Sequence, residues 1–149
     1  MKYLLVLLSV LLVSNTANAN QVYNPEGLWL TQNERSVIQV EKCGDELCGK
    51  IHWIIKGGMQ TDTKNPNMSL RDQKICGLQI VSGLKQSSHD GNYWLDGKIY
   101  KADDGDTYNA KIQMLSNDEM TLRGYLALSL LGKSQTWKRV SAKDYPACK

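Results

Sequence analysis

Apolar and polar residues alternate along most of this chain after Tyr23, and turn-forming residues separate the alternating runs. A period of two marks a strand with one buried face. Residues 28–31 predict a short first strand. Residues 34–42 predict a second, with Ile38 and Val40 on one face and Gln39 and Glu41 on the other. Residues 47–55 predict a third, with Ile51, Trp53 and Ile55 inward and Lys50 and His52 outward. Five more strands are predicted over 75–82, 93–100, 107–115, 120–126 and 134–140, with Leu78 and Ile80 sharing a face in the first of these. Asp90-Gly91-Asn92, Asp103-Asp104-Gly105-Asp106 and Ser116-Asn117-Asp118 carry hairpin-turn chemistry. The polar stretch 56–74 contains Gly57-Gly58 and Asn65-Pro66 and predicts a loop, unusually long for a compact domain. No segment after the leader shows a long apolar stripe of helical period, although 126–131 has room for one helical turn.

About eight short strands joined by tight turns predict an all-β domain: a small antiparallel barrel in up-and-down order, with a Greek-key sandwich as the alternative. An eight-stranded meander removes its edges by closing on itself. Its interior is wide enough to be filled by side chains or to hold one small ligand. Ile38, Val40, Ile51, Trp53, Leu78, Ile80, Ile112 and Leu122 are the candidate lining. The same residues would form the core of a barrel packed solid.

The first residues change the compartment. Lys2 is followed by an apolar run of about eleven residues and by Ala17-Asn18-Ala19, the pattern of a secretory signal cut after Ala19. The run is too short to span a bilayer, which takes roughly 20 residues. The expected organisation is a signal peptide at 1–19 and one barrel domain at 20–149, with no membrane span in the mature chain. Charge is nearly balanced, with 18 Lys and Arg against 15 Asp and Glu. That balance, with no basic run, disfavours nucleic acid as a partner. Phe is absent, so Trp and Tyr supply the aromatic packing.

Cys43, Cys48, Cys76 and Cys148 all follow the predicted cleavage point, and an even count in an oxidising compartment reads as disulfides. Three connectivities are possible. The local turn Cys43-Gly44-Asp45-Glu46-Leu47-Cys48 makes Cys43–Cys48 the natural pair and leaves Cys76–Cys148. The spacing is not that of a thioredoxin-type site or of a zinc site, and neither a metal nor a cofactor is expected.

Candidate chemistry is sparse. His52 falls on an outward strand face and His89 in a Ser/Asp/Gly turn, so both read first as solvated surface residues. Ser82-Gly83-Leu84-Lys85 matches Ser-x-x-Lys but lies at a strand end without the companion motifs of an acylating site. The Asp103–Asp106 run lacks the alternation of a calcium loop. Asp62, Asn65, Asn67, Arg71 and Asp72 form a polar cluster in the long loop; Asp62, Asn65 and Arg71 are candidates to edge a ligand entrance or to order the loop itself.

Gly27-Leu28-Trp29 on the first strand and Arg139 on the last resemble the lipocalin signature, in which an Arg stacks on a Trp to close one end of the barrel. The order GLW, CGDELCGKI, CGLQIVSGL, the Trp94–Tyr100 segment, DGDTY, LRGY and LLGKSQTWKRV resembles a family of small exported bacterial proteins, the domain of unknown function DUF2147. That resemblance implies a lipocalin-like barrel and a Gram-negative periplasmic setting, and it implies no reaction. Cys76 and Cys148 lie outside the resembling motifs. The expectation is a non-catalytic periplasmic protein that binds a small, partly apolar ligand in the barrel. The alternatives are an envelope protein–protein module with a filled barrel and, behind it, a hydrolase.

Overall fold

The computed structural model describes residues 21–58 and 60–148. The signal peptide read at residues 1–19 lies outside the described residues. Eight strands follow in chain order: β1 (Gly27–Leu30), β2 (Ser36–Cys43), β3 (Glu46–Ile54), β4 (Gln79–Gln86), β5 (Tyr93–Lys101), β6 (Asp106–Met114), β7 (Glu119–Tyr125) and β8 (Gly132–Val140). Each pairs antiparallel with the next, and β8 pairs with β1, so the sheet closes into an up-and-down barrel. Closure leaves no strand edge open and excludes the sandwich alternative.

Two details depart from the expected elements. Ile75 and Leu78 precede β4 rather than opening it, and β4 runs on to Gln86. Residues 126–131 form a turn without a helix, while Met68–Leu70 in the long loop makes one turn of 3-10 helix capped by the Asn67 side chain.

Among the register shifts of the sheet, one in β3 and one in β5 re-aim side chains at the interior. Val37 pairs with Trp53 and Ile38 with Ile51, which leaves His52 as the extra residue of β3. One added residue inverts the faces that follow it. Ile54 therefore packs against the core, Trp53 does not, and Ile55 is exposed, which corrects the inward reading of Trp53 and Ile55. A second bulge lies in β5, where Trp94 pairs with Ile112 and Gly97 with Ala110. Asp96 has φ 62° there, a left-handed conformation that Asp tolerates better than most residues. Trp94, Gly97 and Ile99 consequently all point to the interior side.

The end of the barrel made by the β2–β3, β4–β5 and β6–β7 turns is packed solid. Trp29, Val40, Leu47, Leu84, Trp94, Met114 and Met120 fill it, each almost wholly buried. Arg139 lies over the Trp29 ring and donates hydrogen bonds to the carbonyl oxygens of Asn24, Glu26 and Asn117. One side chain thus ties the chain entering β1 to the β6–β7 turn. Gly27 sits at φ 140°, and a Cβ there would collide with the Arg139 guanidinium. The glycine is required both by backbone and by space.

Both disulfides are present. Cys43–Cys48 spans the β2–β3 turn with Cα atoms 5.9 Å apart, and Cys76–Cys148 spans 5.6 Å between the long loop and the tail after β8. The Cys148 amide also donates to the His52 carbonyl at 2.7 Å, so the tail lies against β3.

Candidate functional site

The opposite end of the barrel is hollow. A cavity of about 620 Å³ opens there between the β1–β2, β3–β4, β5–β6 and β7–β8 connections. Its deep wall is apolar: Ile38, Ile51, Ile54, Ile75, Ile80, Ile99, Leu122 and Trp137. Its rim is polar, with Arg35, Tyr100, Lys101, Tyr108, Lys133 and Gln135. Gly124 leaves part of the wall bare, since a Cβ there would meet nothing closer than Ile99 at 3.6 Å. A volume of a few hundred Å³ with apolar walls and a few polar groups is the usual form of a small-molecule site.

Four of the eight candidate lining residues, Ile38, Ile51, Ile80 and Leu122, line this cavity. Val40 and Ile112 are buried in the packed core and stand outside the lining. Leu78 is half-buried ahead of β4, where its carbonyl accepts from the Ile51 amide. Trp53 is turned away by the β3 bulge. Alternation missed Ile54 and Ile99, which the two bulges bring inward, and Ile75, which the loop carries in. Trp137 lay within a predicted strand, so strand parity was the signal available for it, whereas Tyr100 follows the inward Ile99 and reaches the rim against parity.

The rim is knitted by polar contacts. Arg35 forms an ion pair with Asp103 at 2.9 Å and donates to the Gly57 carbonyl, linking three of the four mouth connections. Lys101 pairs with Asp104, whose carboxylate also accepts from the Asp106 amide and the Tyr108 hydroxyl. These acids of the β5–β6 turn are engaged with their neighbours. Among the described residues no group of three or more His, Cys, Asp or Glu is placed to share a metal ion. No ion pair reaches Lys133 there.

The long loop is held by Asp62. Its side chain is wholly buried. One carboxylate oxygen accepts from the Tyr100 hydroxyl at 2.7 Å, and the other from Asn65 at 2.7 Å and Gln73 at 3.0 Å. Burial pushes this carboxyl up, but the three hydrogen bonds outweigh it and leave it below the ordinary carboxylate value. Burial, the hydrogen bond to Asp62 and that carboxylate's charge push the Tyr100 phenol up to about 12. Arg71 donates to the Asn65 carbonyl at 2.8 Å, and Gly105 of the β5–β6 turn (φ 80°) packs so tightly on the Lys64 carbonyl that a Cβ has no room. Asp62, Asn65 and Arg71 are therefore partners of one another and of the barrel, and none of them lines the cavity.

The histidines are apart. His52 Nε2 lies 3.1 Å from the Tyr145 carbonyl and helps hold the tail, and His89 is exposed in the β4–β5 turn. Lys85 faces Glu46 at 3.7 Å.

Residues 27–139 match the family DUF2147, described as an uncharacterized protein conserved in bacteria. No curated protein matches the chain. Among solved structures, the chain is similar to protein HP1028 from the human pathogen Helicobacter pylori, which belongs to the lipocalin family. The TM-score is 0.77 at 23% identity, over 86% of this chain and 92% of that one. At that identity the likeness establishes a shared lipocalin-like fold.

Proposed function

The chain belongs to the bacterial family DUF2147, and we propose that it is an exported, periplasmic, non-catalytic binding protein whose ligand is a small, partly apolar molecule held in the open end of the barrel. The cavity of about 620 Å³ carries this reading. Its isoleucine-rich wall suits the apolar part of a ligand, and the rim suits a polar or acidic end. Lys133 is the rim cation without an acidic partner among the described residues, and Gln135 lines the same cavity as a hydrogen-bonding group. Export is supported by the leader pattern at 1–19 and by two disulfides, which persist in oxidising compartments.

The test is native mass spectrometry of protein purified from periplasm, beside the same sample denatured. The expected result is an added mass of a few hundred daltons that denaturation removes. A bare mass, together with no uptake of any amphiphile offered, overturns the reading. The envelope module with a filled barrel is disfavoured by the same cavity.

A further inference from the structure

The β7–β8 turn exposes a cluster of leucines that packing does not explain. Leu126, Leu128, Leu130 and Leu131 are 63%, 62%, 88% and 70% exposed, at the edge of the cavity mouth. Isolated exposed leucines are ordinary, but four within six residues form a patch. The backbone beneath them is occupied. Asn109 donates to the Leu126 carbonyl, Arg123 donates to the Ser129 and Leu130 carbonyls, and the Leu131 amide donates to the Leu128 carbonyl. Four of the six carbonyls of the turn are bonded, and those four enter an apolar medium without being left unpaired.

The charge on the turn and its two strand ends is positive. From Met120 to Gln135 the sequence contains no Asp or Glu, while Arg123 and Lys133 are cationic, and Asp103 and Asp104 of the neighbouring β5–β6 turn are already paired with Arg35 and Lys101. On the outer face below the tip, Lys111 stands directly opposite Arg123 across β6 and β7, and no acidic side chain pairs with either among the described residues. Like charges opposite one another destabilise a sheet, so this pair favours an anion. A hollow of about 250 Å³ lies there, lined by Tyr93, Lys111, Gln113, Thr121, Arg123 and Ser134.

We propose that the β7–β8 turn is a docking tip for the surface of an anionic lipid bilayer. The leucines enter the acyl boundary, and Lys111, Arg123 and Lys133 meet the headgroups. Apolar side chains at a tip backed by cations are the two contributions that hold a protein at a membrane interface. Neutral lipid would satisfy only the first. The contact needs no ligand in the cavity, so it can stand where the binding reading fails, and the reverse.

The test is flotation of the protein with vesicles of phosphatidylethanolamine and phosphatidylglycerol, and with phosphatidylcholine vesicles. The expected result is salt-sensitive partition onto the anionic vesicles and weaker partition onto the neutral ones. Leu128→Ser with Leu130→Ser alters only exposed positions and should lower that partition about tenfold or more, with thermal unfolding unchanged. Lys111→Glu should lower it on anionic vesicles alone. Absence of flotation by the wild-type chain overturns the proposal. So does equal flotation of the leucine variant. Self-association that the leucine variant abolishes, without vesicle binding, assigns the patch to a second copy of the chain and overturns it as well.

Discussion

Arg139 and Trp29 are partners across the β1–β8 seam, and the guanidinium carbon lies 4.3 Å from the centre of the indole ring. Arg139 is the last inward-directed cation of the final strand, and Trp29 is a wholly buried plug of the first. Barrel closure therefore rests on a contact between residues 110 positions apart in the chain, as well as on backbone pairing.

Arg139→Ala should lower unfolding free energy by about 2–4 kcal/mol, from one cation–π contact and hydrogen bonds to three carbonyls. Arg139→Lys should recover only part of that loss, because an ammonium cannot reproduce the planar fork. Urea denaturation of the three proteins measures both differences. Equal stability of the Ala variant and wild type would remove Arg139 from the closure.

Trp29 and Trp94 are both core indoles, yet only one has its N–H satisfied. Trp29 donates to the Pro25 carbonyl at 2.9 Å, whereas the buried Trp94 Nε1 has no hydrogen-bond partner among the described residues. Replacing a satisfied donor strands its acceptor, and replacing an orphan donor does not. Trp94→Phe should therefore be less destabilising than Trp29→Phe by about 1 kcal/mol or more, read from the same denaturation curves.

Stability should fall at both extremes of pH through the Asp62–Tyr100 pair. The Tyr100 phenol is raised in the folded chain, so its contribution is complete below the ordinary value of 10.0 and is lost as pH rises through about 12. The Asp62 carboxyl is lowered, so its contribution is present above the ordinary 3.8 and is lost as pH falls through the depressed folded value. Melting temperature against pH should show a steeper alkaline limb for wild type than for Tyr100→Phe, and a steeper acid limb than for Asp62→Asn. Ultraviolet difference titration of Tyr100→Phe against wild type should identify the late-titrating phenol. An ordinary tyrosine titration in that difference would contradict the assignment.

Gly124→Leu should fill part of the cavity without straining the strand. The nearest neighbours of its Cβ, Ile99 and Tyr108, are at ordinary contact distance. The expected outcome is unchanged or slightly higher melting temperature and loss of the ligand mass in native spectra. A variant that keeps full occupancy would place the ligand elsewhere.

The two bridges should differ in weight. By the loop-entropy relation, opening Cys76–Cys148, with a separation of 72 residues, costs about 4 kcal/mol, and opening Cys43–Cys48, with a separation of 5, about 2 kcal/mol. Paired Ser substitutions compared by denaturation give the order.

The barrel was legible because its signals are local. Ile38 and Val40 alternate with Gln39 and Glu41, and the turns at 90–92, 103–106 and 116–118 carry residues that only tight connections favour. What escaped was set by pairing between strands. Nothing near His52 or Asp96 announces a bulge, yet each shifts the faces of its strand and decides whether Trp53 or Ile54, and whether Ile99, meets the cavity. Asp62 shows the same limit. Its sequence neighbours are polar loop residues, and the hydroxyl that fixes its place belongs to Tyr100, 38 residues on. Whether the barrel was hollow could not be read from composition, since a wall and a core use the same isoleucines.

The position of Cys148 imposes an order in time. It follows β8, the last strand, whereas its partner Cys76 precedes β4. As the chain emerges, Cys43 and Cys48 meet as soon as the β2–β3 turn is out. The thiol of Cys76 has no native partner until all eight strands have been made. A chain halted before residue 148 would carry one bridge and one waiting thiol, and a labelling reagent for thiols would read how much of it had been made.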